Sequence, residues 1–279
     1  MIELRQSYAL NILLEVSGLS RSTFYYHCKE LEKPCKYNKT KRRIEAIFNE
    51  NRGRYGYRRI TIALKKDGIS INHKTVYRLM KEMGLTSKVR MKKYKSYRGE
   101  VGRIAPNILD RDFEADRPNK KWATDITQFS LFGRKLYLSP ILDLFNGEII
   151  SHSITERPVF GQVIEMLDKA FDSHSDLEGL IFHSDQGWQY QMKKYRYRLR
   201  EKGIVQSMSR KGNCLDNSVM ENFFGHLKSE LLYLEEFRDI DHFKEELENY
   251  IHWYNNKRIK EKLQGLSPVE YRIQSLLAA

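Results

Sequence analysis

The sequence has few cysteines, few prolines and no long apolar run. Its 279 residues include three cysteines and six prolines. Cys28, Cys35 and Cys214 form no C-x-x-C pair, which argues against a disulfide framework and indicates a reducing compartment. A zinc site built from His27, Cys28 and Cys35 is the less favoured alternative, because a closed site needs four suitably spaced ligands. No segment reaches the roughly 18 apolar residues of a membrane span, and no signal peptide opens the chain. We therefore expect a cytoplasmic protein without membrane contact.

Acidic residues are scarce in only one part of the chain. The net charge is +13, and residues 1–110 carry 25 Lys and Arg against 10 Asp and Glu, which gives +15. The remaining residues carry 24 against 26, which gives −2. This asymmetry favours a polyanion that binds the front part of the chain over a basic surface that only confers solubility.

The front part of the chain predicts short helices joined by tight turns. One helix-turn-helix-like segment is predicted over 1–36 and a helix-turn-helix DNA-binding domain over 37–86, with a break at Asp67-Gly68. Ser20 is the predicted N-cap of a helix that begins at Arg21. The inward apolar stripes are Leu10, Leu13, Leu14 and Val16 on the first helix, and Val76, Leu79 and Met80 on the last. In helix-turn-helix proteins the second helix enters the major groove of DNA.

Two groups of cations are predicted to contact DNA. Lys74, Arg78 and Lys81 are spaced i, i+4 and i+7, so they share the helix face opposite the apolar stripe, and a merely solvated face is the alternative. The tract 85–103 holds seven Lys and Arg against one Glu, with two interleaved tyrosines. It falls largely in a predicted basic linker, 87–116, where Lys92, Lys93 and Lys95 are expected to follow a phosphate backbone.

From residue 117 the pattern changes to alternating strands and helices. We predict an α/β domain over 117–279 with a five-stranded mixed sheet and flanking helices. The predicted strands are WATDITQF, RKLYLSPILDLF, GEIISHSITER, GLIFHSD and IVQSMS, and the predicted helices are 159–173, QMKKYRYRLREKG, 217–233, 240–256 and SPVEYRIQSLL. Asn146-Gly147 predicts a hairpin turn between the second and third strands.

Three acidic residues stand out in this second part. Asp125 is predicted mid-strand, where an acid disfavours the structure. Asp185 ends a buried strand, where open α/β sheets present ligand-binding groups. Glu221 lies early in a helix that packs on the sheet through an apolar stripe. Three convergent carboxylates can hold two hard divalent cations about 3.5–4 Å apart, the usual apparatus for in-line attack on a phosphodiester.

Each acid also has a simpler structural interpretation. An Asp at a strand end is often a turn former, and a Glu in the first turns of a helix often serves the helix dipole. Asp143, in an otherwise apolar strand, is the rival fourth carboxylate. Asp216 and Asn217 are N-cap candidates for the helix that carries Glu221. Lys228, two turns after Glu221 on the same side, could contact a phosphate near the carboxylates.

The region 117–271 closely resembles the catalytic domain of DDE transposases of the retroviral-integrase superfamily. The resemblance is strongest to the bacterial insertion-sequence group whose transposase is encoded by two overlapping reading frames. It is carried by RPNKKWATDIT, HSDQGWQY, SRKGNCLDNSVMENFFGHLKSEL and YIHWYNNKRIKEKLQGLSPVEY. RGRYGYRRI and TVYRLMKEMGL also resemble the helix-turn-helix segment that precedes the catalytic domain in that group.

The resemblance implies an RNase H-like fold and a Mg²⁺-dependent transposase. It implies that Asp125, Asp185 and Glu221 are the catalytic metal ligands for two Mg²⁺ ions, or Mn²⁺ in their place, and that Lys228 contacts DNA. Asp143 and Asp216 match the pattern without a metal role. The implied reaction is attack on phosphate by water and then by a 3′-hydroxyl, with no covalent protein–DNA intermediate. The implied partners are the terminal inverted repeats of the element, target DNA and further copies of the chain on DNA, in association with the nucleoid.

Other functions remain as alternatives. A non-catalytic helix-turn-helix regulator explains residues 1–110 but leaves the three acids unused. A tyrosine recombinase needs an H-x-x-R element, which none of the eight histidines provides. A nuclease acting on RNA–DNA hybrids fits the basic front part less well than duplex DNA does. The full-length transposase of the resembled group also carries an upstream-frame segment that this chain lacks before Met1. The chain is therefore expected to be a downstream-frame product, which leaves open that it is inactive without a fusion partner.

Overall fold

The computed structural model describes residues 2–32, 37–87 and 104–277. The chain divides into two compact units, Met1–Thr86 and Ser87–Ala279. Cys35 and the predicted DNA contacts Lys92, Lys93 and Lys95 lie outside the described residues. The helices of the first unit are α1 Leu10–Ser17, α2 Arg21–Glu32, α3 Asn38–Glu50, α4 Tyr57–Lys66 and α5 His73–Glu82.

Helices α3, α4 and α5 of the first unit pack around a small apolar core. Its buried side chains are Ile44, Ile47, Ile60, Leu64, Val76, Leu79 and Met80. Helices α4 and α5 are separated by the turn predicted at Asp67-Gly68, where Gly68 has φ +78°. Asn72 caps α5, because its side chain accepts a hydrogen bond from the Lys74 backbone amide at 2.8 Å. The expected helix-turn-helix arrangement is therefore present, with the predicted apolar stripe of α5 facing inward.

Helices α1 and α2 match their predicted positions, but α1 is not packed as predicted. Ser20 Oγ accepts a hydrogen bond from the Thr23 backbone amide at 3.1 Å, so the predicted N-cap of α2 is confirmed. No residue of α1 is buried, however, and the Val16 side chain is 84% exposed. Leu10, Leu13 and Leu14 of the predicted apolar stripe are half-buried, so this face of α1 is only partly covered.

The second unit contains one mixed sheet. Its strands are β1 Lys121–Thr124, β2 Thr127–Leu131, β3 Arg134–Asp143, β4 Ile149–Thr155, β5 Ile181–Ser184 and β6 Val205–Met208. Strand β3 pairs antiparallel with β1, β2 and β4. Strand β5 pairs parallel with both β1 and β6. The predicted hairpin turn joins β3 to β4, and Gly147 adopts a left-handed φ of +70° there.

Strands β1 and β2 are two parts of one strand. Trp122 lies opposite Asp143 and Thr127 lies opposite Leu138, so both parts pair with β3 in the same register. Only Asp125 and Ile126 interrupt the strand. The prediction of five strands is thus confirmed, and one of them is broken in the middle. The sheet with its flanking helices is the RNase H-like fold that the resemblance implied.

Helices cover both faces of this sheet. Because successive strand residues point to opposite faces, Trp122 and Ala123 join different apolar clusters. Helices α6 Phe160–Ser173 and α7 Lys193–Glu201 pack with the Trp122 cluster, and α8 Ser218–Leu227 and α9 Ile240–Asn256 pack with the Ala123 cluster.

The helix predicted over 217–233 is not a single α-helix. Helix α8 is followed directly by a π-helical segment, Lys228–Leu232, and the chain ends its described part in α10, Pro268–Leu277. No helix in the described part of the chain is both long and apolar enough to cross a membrane.

Candidate active site

The ends of two neighbouring parallel strands bring Asp125 and Asp185 together. Ala123 on β1 lies beside His183 on β5, and β1 and β5 end one residue later. Each aspartate follows its strand by one residue, so the two occupy matching positions at the same edge of the sheet. Neighbouring strands are about 4.8 Å apart, which places the two backbones side by side.

The backbone around each aspartate orients its carboxylate. Asp125 Oδ1 accepts a hydrogen bond from the Ile126 amide at 2.7 Å. Asp125 was predicted in the middle of a strand, and this placement is wrong, because the residue lies in the interruption between β1 and β2. There its side chain, in place of a neighbouring strand, accepts the hydrogen bond of the Ile126 amide. Asp185 Oδ1 accepts from the Gly187 amide at 2.8 Å. A Cβ on Gly187 would stand 2.9 Å from that oxygen, so a side chain at this position would displace the Asp185 carboxylate.

Helix α8 carries the third acid to the same edge. Glu221 is exposed and lies in the first turn of α8, and the opposite side of the helix is buried. The start of the helix is attached to β1, since Asn217 Nδ2 donates to the Thr124 carbonyl at 3.3 Å. Thr124 directly precedes Asp125, so this hydrogen bond fixes the position of Glu221 relative to the strand end.

The three carboxylates interact electrostatically. The pKa of Asp125 is raised well above its usual range, first by burial and then by the negative charge of Asp185, and Glu221 contributes in the same direction. The pKa of Asp185 is raised by burial. Within the described part of the chain, neither Asp125 nor Asp185 forms an ion pair. Two half-buried acids are therefore held close together without a neighbouring cation in contact.

The chemistry of these donors fits a hard divalent cation. Carboxylate oxygens are the ligands that Mg²⁺ prefers. A cation between the acids would offset the charge repulsion that, after burial, raises the pKa of Asp125. Among the described residues, no three His, Cys, Asp or Glu side chains already converge on one point as a finished metal site. The backbone places the acids near one another, but like charges repel when no cation lies between them. The carboxylates would therefore converge only on binding a metal ion.

Lys228 lies near the acids but is held by the protein. Its Nζ donates to Thr127 Oγ1 at 2.7 Å and stands 5.7 Å from the ring centre of Phe129. Its positive charge slightly opposes the upward shift of the Asp125 pKa. The residue is the C-cap of α8, at the junction with the π-helical segment.

Asp143, the rival fourth carboxylate, and Asp216 both have structural partners. Asp143 is fully buried, pairs with Arg272 at 2.8 Å and accepts from the backbone amides of Asn119 and Phe145. Asp216 is fully buried and accepts from Arg210 and Arg111, which hold its pKa well below the usual range.

The N-cap interpretation is wrong for Asp216, and for Asn217 it holds in position only. Asn217 stands at the N-cap position of α8, but its side chain makes no capping hydrogen bond and contacts β1 instead. Asp216 is occupied by arginine side chains. Both residues fix the segment before α8 to the rest of the unit.

Sequence reasoning missed the supporting residues on β5 and after it. His183 is fully buried between Ser207 Oγ at 2.9 Å and Ser209 Oγ at 3.1 Å, and burial lowers its pKa to about 4. Tyr190 and Tyr195 are also buried, and the charge of Asp185 contributes to their raised pKa values. A histidine in a buried strand was the available signal. The tyrosines gave none, because an aromatic residue at helical spacing usually means core.

The predicted DNA face of α5 is exposed, and one of its cations is engaged. Lys74, Arg78 and Lys81 are all exposed on α5. Arg78 donates to Glu82 at 2.8 Å and lies 5.8 Å from the ring centre of Tyr37.

Family models match three parts of the chain. An integrase core domain matches residues 115–214, and a second integrase core model matches residues 221–276. A helix-turn-helix-like domain matches residues 36–93. The two core matches contain all three acids at the edge of the sheet, and the third contains α3 to α5.

Relatives of the chain are described as transposases of insertion sequence elements. The transposase InsK of insertion sequence element IS150 from Escherichia coli K12 is 57% identical over 275 residues, covering 99% of this chain and 97% of that protein. The transposase of insertion sequence element IS904 from Lactococcus lactis is 38% identical over 231 residues, covering 82% and 91%.

Among solved structures, the integrase catalytic core of HTLV-2 in complex with magnesium is similar, with a TM-score of 0.44 and 16% identity. The similarity covers 56% of this chain and 98% of that one.

Proposed function

The chain belongs to the insertion-sequence transposases with an integrase core domain, and on this basis we propose that it cuts and joins DNA with divalent metal. The family makes the protein a DDE-type polynucleotidyl transferase that binds DNA. The proposed reaction starts with attack of water on a phosphodiester at the element end. The released 3′-hydroxyl then attacks target DNA in line, with no covalent link to the protein.

One observation carries this proposal. Asp125 and Asp185 follow adjacent parallel strands at matching positions, and the charge of Glu221 reaches Asp125 from α8. A DNA-binding regulator would gain nothing from a cluster of half-buried acids, because their charges repel one another and also repel DNA. A metal-dependent enzyme needs such acids.

We assign Asp125, Asp185 and Glu221 as the catalytic metal ligands. When bound, Mg²⁺ or Mn²⁺ would polarise the phosphate and neutralise developing negative charge. The Ile126 and Gly187 amides orient the two aspartates. The hydrogen bond from Asn217 to the end of β1 keeps α8, and with it Glu221, in place.

We further propose how the chain engages DNA. Residues 37–86 would read DNA through the exposed face of α5, where Lys74, Arg78 and Lys81 lie. Residues 87–116 would link this domain to the catalytic domain over 117–279, and residues 1–36 would form a separate helical segment. Within the linker, Lys92, Lys93 and Lys95 would contact phosphates. Lys228 would leave Thr127 for a phosphate beside the acids.

The chemistry also implies an assembly. Joining two element ends requires at least two active centres, so we propose a homo-oligomer that forms on the terminal inverted repeats. Association with an upstream-frame product is an extension of the same proposal. Because the substrate is chromosomal DNA, we place the protein in the cytoplasm at the nucleoid.

A cleavage assay tests the proposed function. Duplexes with the inverted repeats that flank the gene are incubated with the full chain and Mg²⁺ or EDTA. We expect nicking and strand transfer only with Mg²⁺, and loss of both in Asp125→Asn, Asp185→Asn and Glu221→Gln, with DNA binding retained. Binding without nicking in the unaltered chain, alone and with its upstream-frame partner, would instead identify a regulator.

A further inference from the structure

Helix α7 differs in charge from the rest of residues 111–279, which contain the candidate active site and are called the catalytic unit below. Residues 193–202 contain six Lys and Arg and one Glu, a net charge of +5, and the remainder of residues 111–279 has a net charge of −7. Surface helices usually mix both signs, because like charges one turn apart destabilise the helix. A concentration of one sign on a single helix therefore needs an explanation outside the helix.

The cations of α7 face solvent. Lys193, Tyr197 and Arg200 are spaced i, i+4 and i+7, so they form one column, and Lys194 lies beside it. All four side chains are exposed, and the Tyr197 ring is 59% exposed. We call these four residues the outer face of α7.

Protein contacts do not account for this charge. Within the described part of the chain, Lys193, Lys194 and Arg200 form no ion pair, whereas Arg198, on another side of the helix, pairs with Asp168. Lys193 and Lys194 also occupy the first turn of α7, where the positive end of the helix dipole disfavours cations. A solvated surface alone would not favour this placement.

The inner face of α7 reaches the candidate active site. Tyr195 is fully buried, and its pKa is raised by burial and by the negative charge of Asp185. The segment between Asp185 and α7 is pinned, because Gln191 Nε2 donates to the Gln186 carbonyl at 2.6 Å and Gln186 Nε2 donates to the Ser209 carbonyl at 2.9 Å. Helix α7 therefore has a fixed position beside the acids.

The distance from the acids to the outer face suits a DNA strand. A helix with its side chains is about 10–12 Å across, so the outer-face cations stand roughly one helix diameter from Asp185. A DNA strand carries one phosphate per ~3.4 Å of axis. A strand with one phosphate at the acids would thus reach the outer face of α7 about three phosphates further on.

We propose that the outer face of α7 binds the DNA backbone next to the phosphodiester that is cut. This inference rests on the proposed function, since it takes DNA as the substrate. The three cations contact successive phosphates, and Tyr197 packs against the sugar-phosphate chain between them. The contact is separate from those of the front unit and holds the strand in register with the acids.

The first experiment measures the salt dependence of binding, in EDTA, for the full chain and a DNA duplex of mixed sequence. The variant is Lys193→Gln with Lys194→Gln and Arg200→Gln. The control removes the same charge at other exposed positions of the unit, Lys135→Gln with Arg157→Gln and Lys262→Gln. We expect the α7 variant to flatten the slope of log affinity against log salt by about 2–3, at ~0.9 per phosphate contact, and the control to change it by less than ~1.

The second experiment locates the contact. A photoreactive benzoylphenylalanine replaces Tyr197 in one protein and Phe132, which is 53% exposed in the β2–β3 turn, in another. We expect cross-linking from position 197 only, to nucleotides about three phosphates from the cut.

An α7 variant whose salt slope equals that of the control would overturn the inference. So would cross-linking from both positions alike. Either result leaves Mg²⁺-dependent cleavage by the unaltered chain intact, so the inference can fail while the proposed function stands. Because binding is measured in EDTA, absence of cleavage would not obscure the result.

Discussion

At the edge of the sheet, an acidic residue needed for the proposed function can lower the stability of the fold. Burial raises the pKa values of Asp125, which is half-buried, and of Asp143, which is fully buried. Asp143 has Arg272 as an ion-pair partner, and Asp125 has the Ile126 amide and two further acids nearby. The two aspartates should therefore affect the free energy of unfolding in opposite directions, because only Asp143 has an ion-pair partner.

We predict that Asp125→Asn raises the free energy of unfolding of the metal-free protein by about 1 kcal/mol at neutral pH and abolishes cleavage. An acid with a raised folded pKa carries its full penalty above that pKa, and the penalty disappears as pH falls to the unfolded value. The stability of the unaltered chain relative to the variant should therefore improve as pH is lowered through this window. Urea unfolding at several pH values measures this difference.

Asp143→Asn is the matched control. It removes one partner of a buried ion pair, so it should lower the free energy of unfolding by about 3 kcal/mol. Added Mg²⁺ should stabilise the unaltered chain and the Asp143 variant, and have little effect on the Asp125 variant. Destabilisation by Asp125→Asn in the absence of metal would contradict the uncompensated-charge account.

A second prediction at the residue scale concerns Asp216. Arginines hold its pKa well below the usual range, so its stabilising contribution is present above the unfolded pKa and is lost as pH falls through the folded one. Asp216→Ala should lower the free energy of unfolding at neutral pH by about 1–2 kcal/mol, because it removes charged hydrogen bonds but leaves the arginine partners in contact with solvent. Because Asp216 fixes the segment before α8, the cleavage rate should fall as well. An unchanged unfolding midpoint in urea would remove Asp216 from the stabilising network.

At the scale of elements, the junction of α8 with the π-helical segment is the least regular part of the catalytic unit. The segment Lys228–Leu232 contains Glu230, which is buried and accepts from Arg258 at 2.6 and 2.8 Å and from Tyr250 at 2.9 Å. These contacts tie the end of the helix that carries Glu221 to α9 and to the loop after it. π-Helical turns are frequent at functional sites.

We predict that Glu230→Gln lowers the free energy of unfolding by about 3–5 kcal/mol, because it leaves Arg258 buried without its counter-charge. The double variant Glu230→Leu with Arg258→Met should recover much of this loss, since both charges are then absent. Thermal unfolding followed by circular dichroism compares the two. If the double variant is no more stable than Glu230→Gln, the loss is due to packing and not to charge.

Regular elements could be predicted from the sequence, and their irregularities could not. The helix predicted over 240–256 coincides with α9, and the Asn146-Gly147 turn is where it was expected. Apolar periodicity and turn residues are local signals, which explains these successes. The interruption at Asp125, the π-helical segment and the partners of Asn217 depend on residues about 15 to 100 positions away, and periodicity carries no information about them.

The candidate site was proposed from signals of a related kind. Asp125, Asp185 and Glu221 were predicted to be metal ligands from their local strings and the family resemblance. The structure places Asp125 and Asp185 at one edge of the sheet, and the metal role of the three acids stays a prediction. The residues that hold them there, His183 and Asn217 among them, were not predicted to do so. Their role is set by three-dimensional contacts with Ser207, Ser209 and the end of β1.

At the scale of the whole molecule, the excess positive charge lies in residues 1–110 and in one helix of the second part of the chain. The front part up to residue 110 carries +15, and α7 with Lys202 carries +5 within an otherwise acidic second part. The two regions are expected to act on the same DNA, and counterion release from each should add to the salt dependence of binding.

We predict that Lys92→Gln with Lys93→Gln and Lys95→Gln weakens binding to duplex DNA and flattens its salt slope by about one unit for each phosphate that these lysines neutralise. The reason is the basic sequence of residues 85–103, and fluorescence anisotropy at several salt concentrations measures the slope. Combined with the α7 variant, the two reductions should add. A salt slope equal to that of the unaltered chain would mean that these three lysines do not touch the backbone.

The interruption of the strand at Asp125 makes the active centre intolerant of a change in chain length. Strands β1 and β2 pair with β3 in one register across the gap. The number of residues between them therefore determines which side chains of β2 face the interior. Deleting either of these two residues would reverse every side chain of β2, expelling Phe129 from the interior and admitting Gln128 in its place. Insertions and deletions at this point should therefore be absent from any functional descendant of the sequence, however far the neighbouring residues drift.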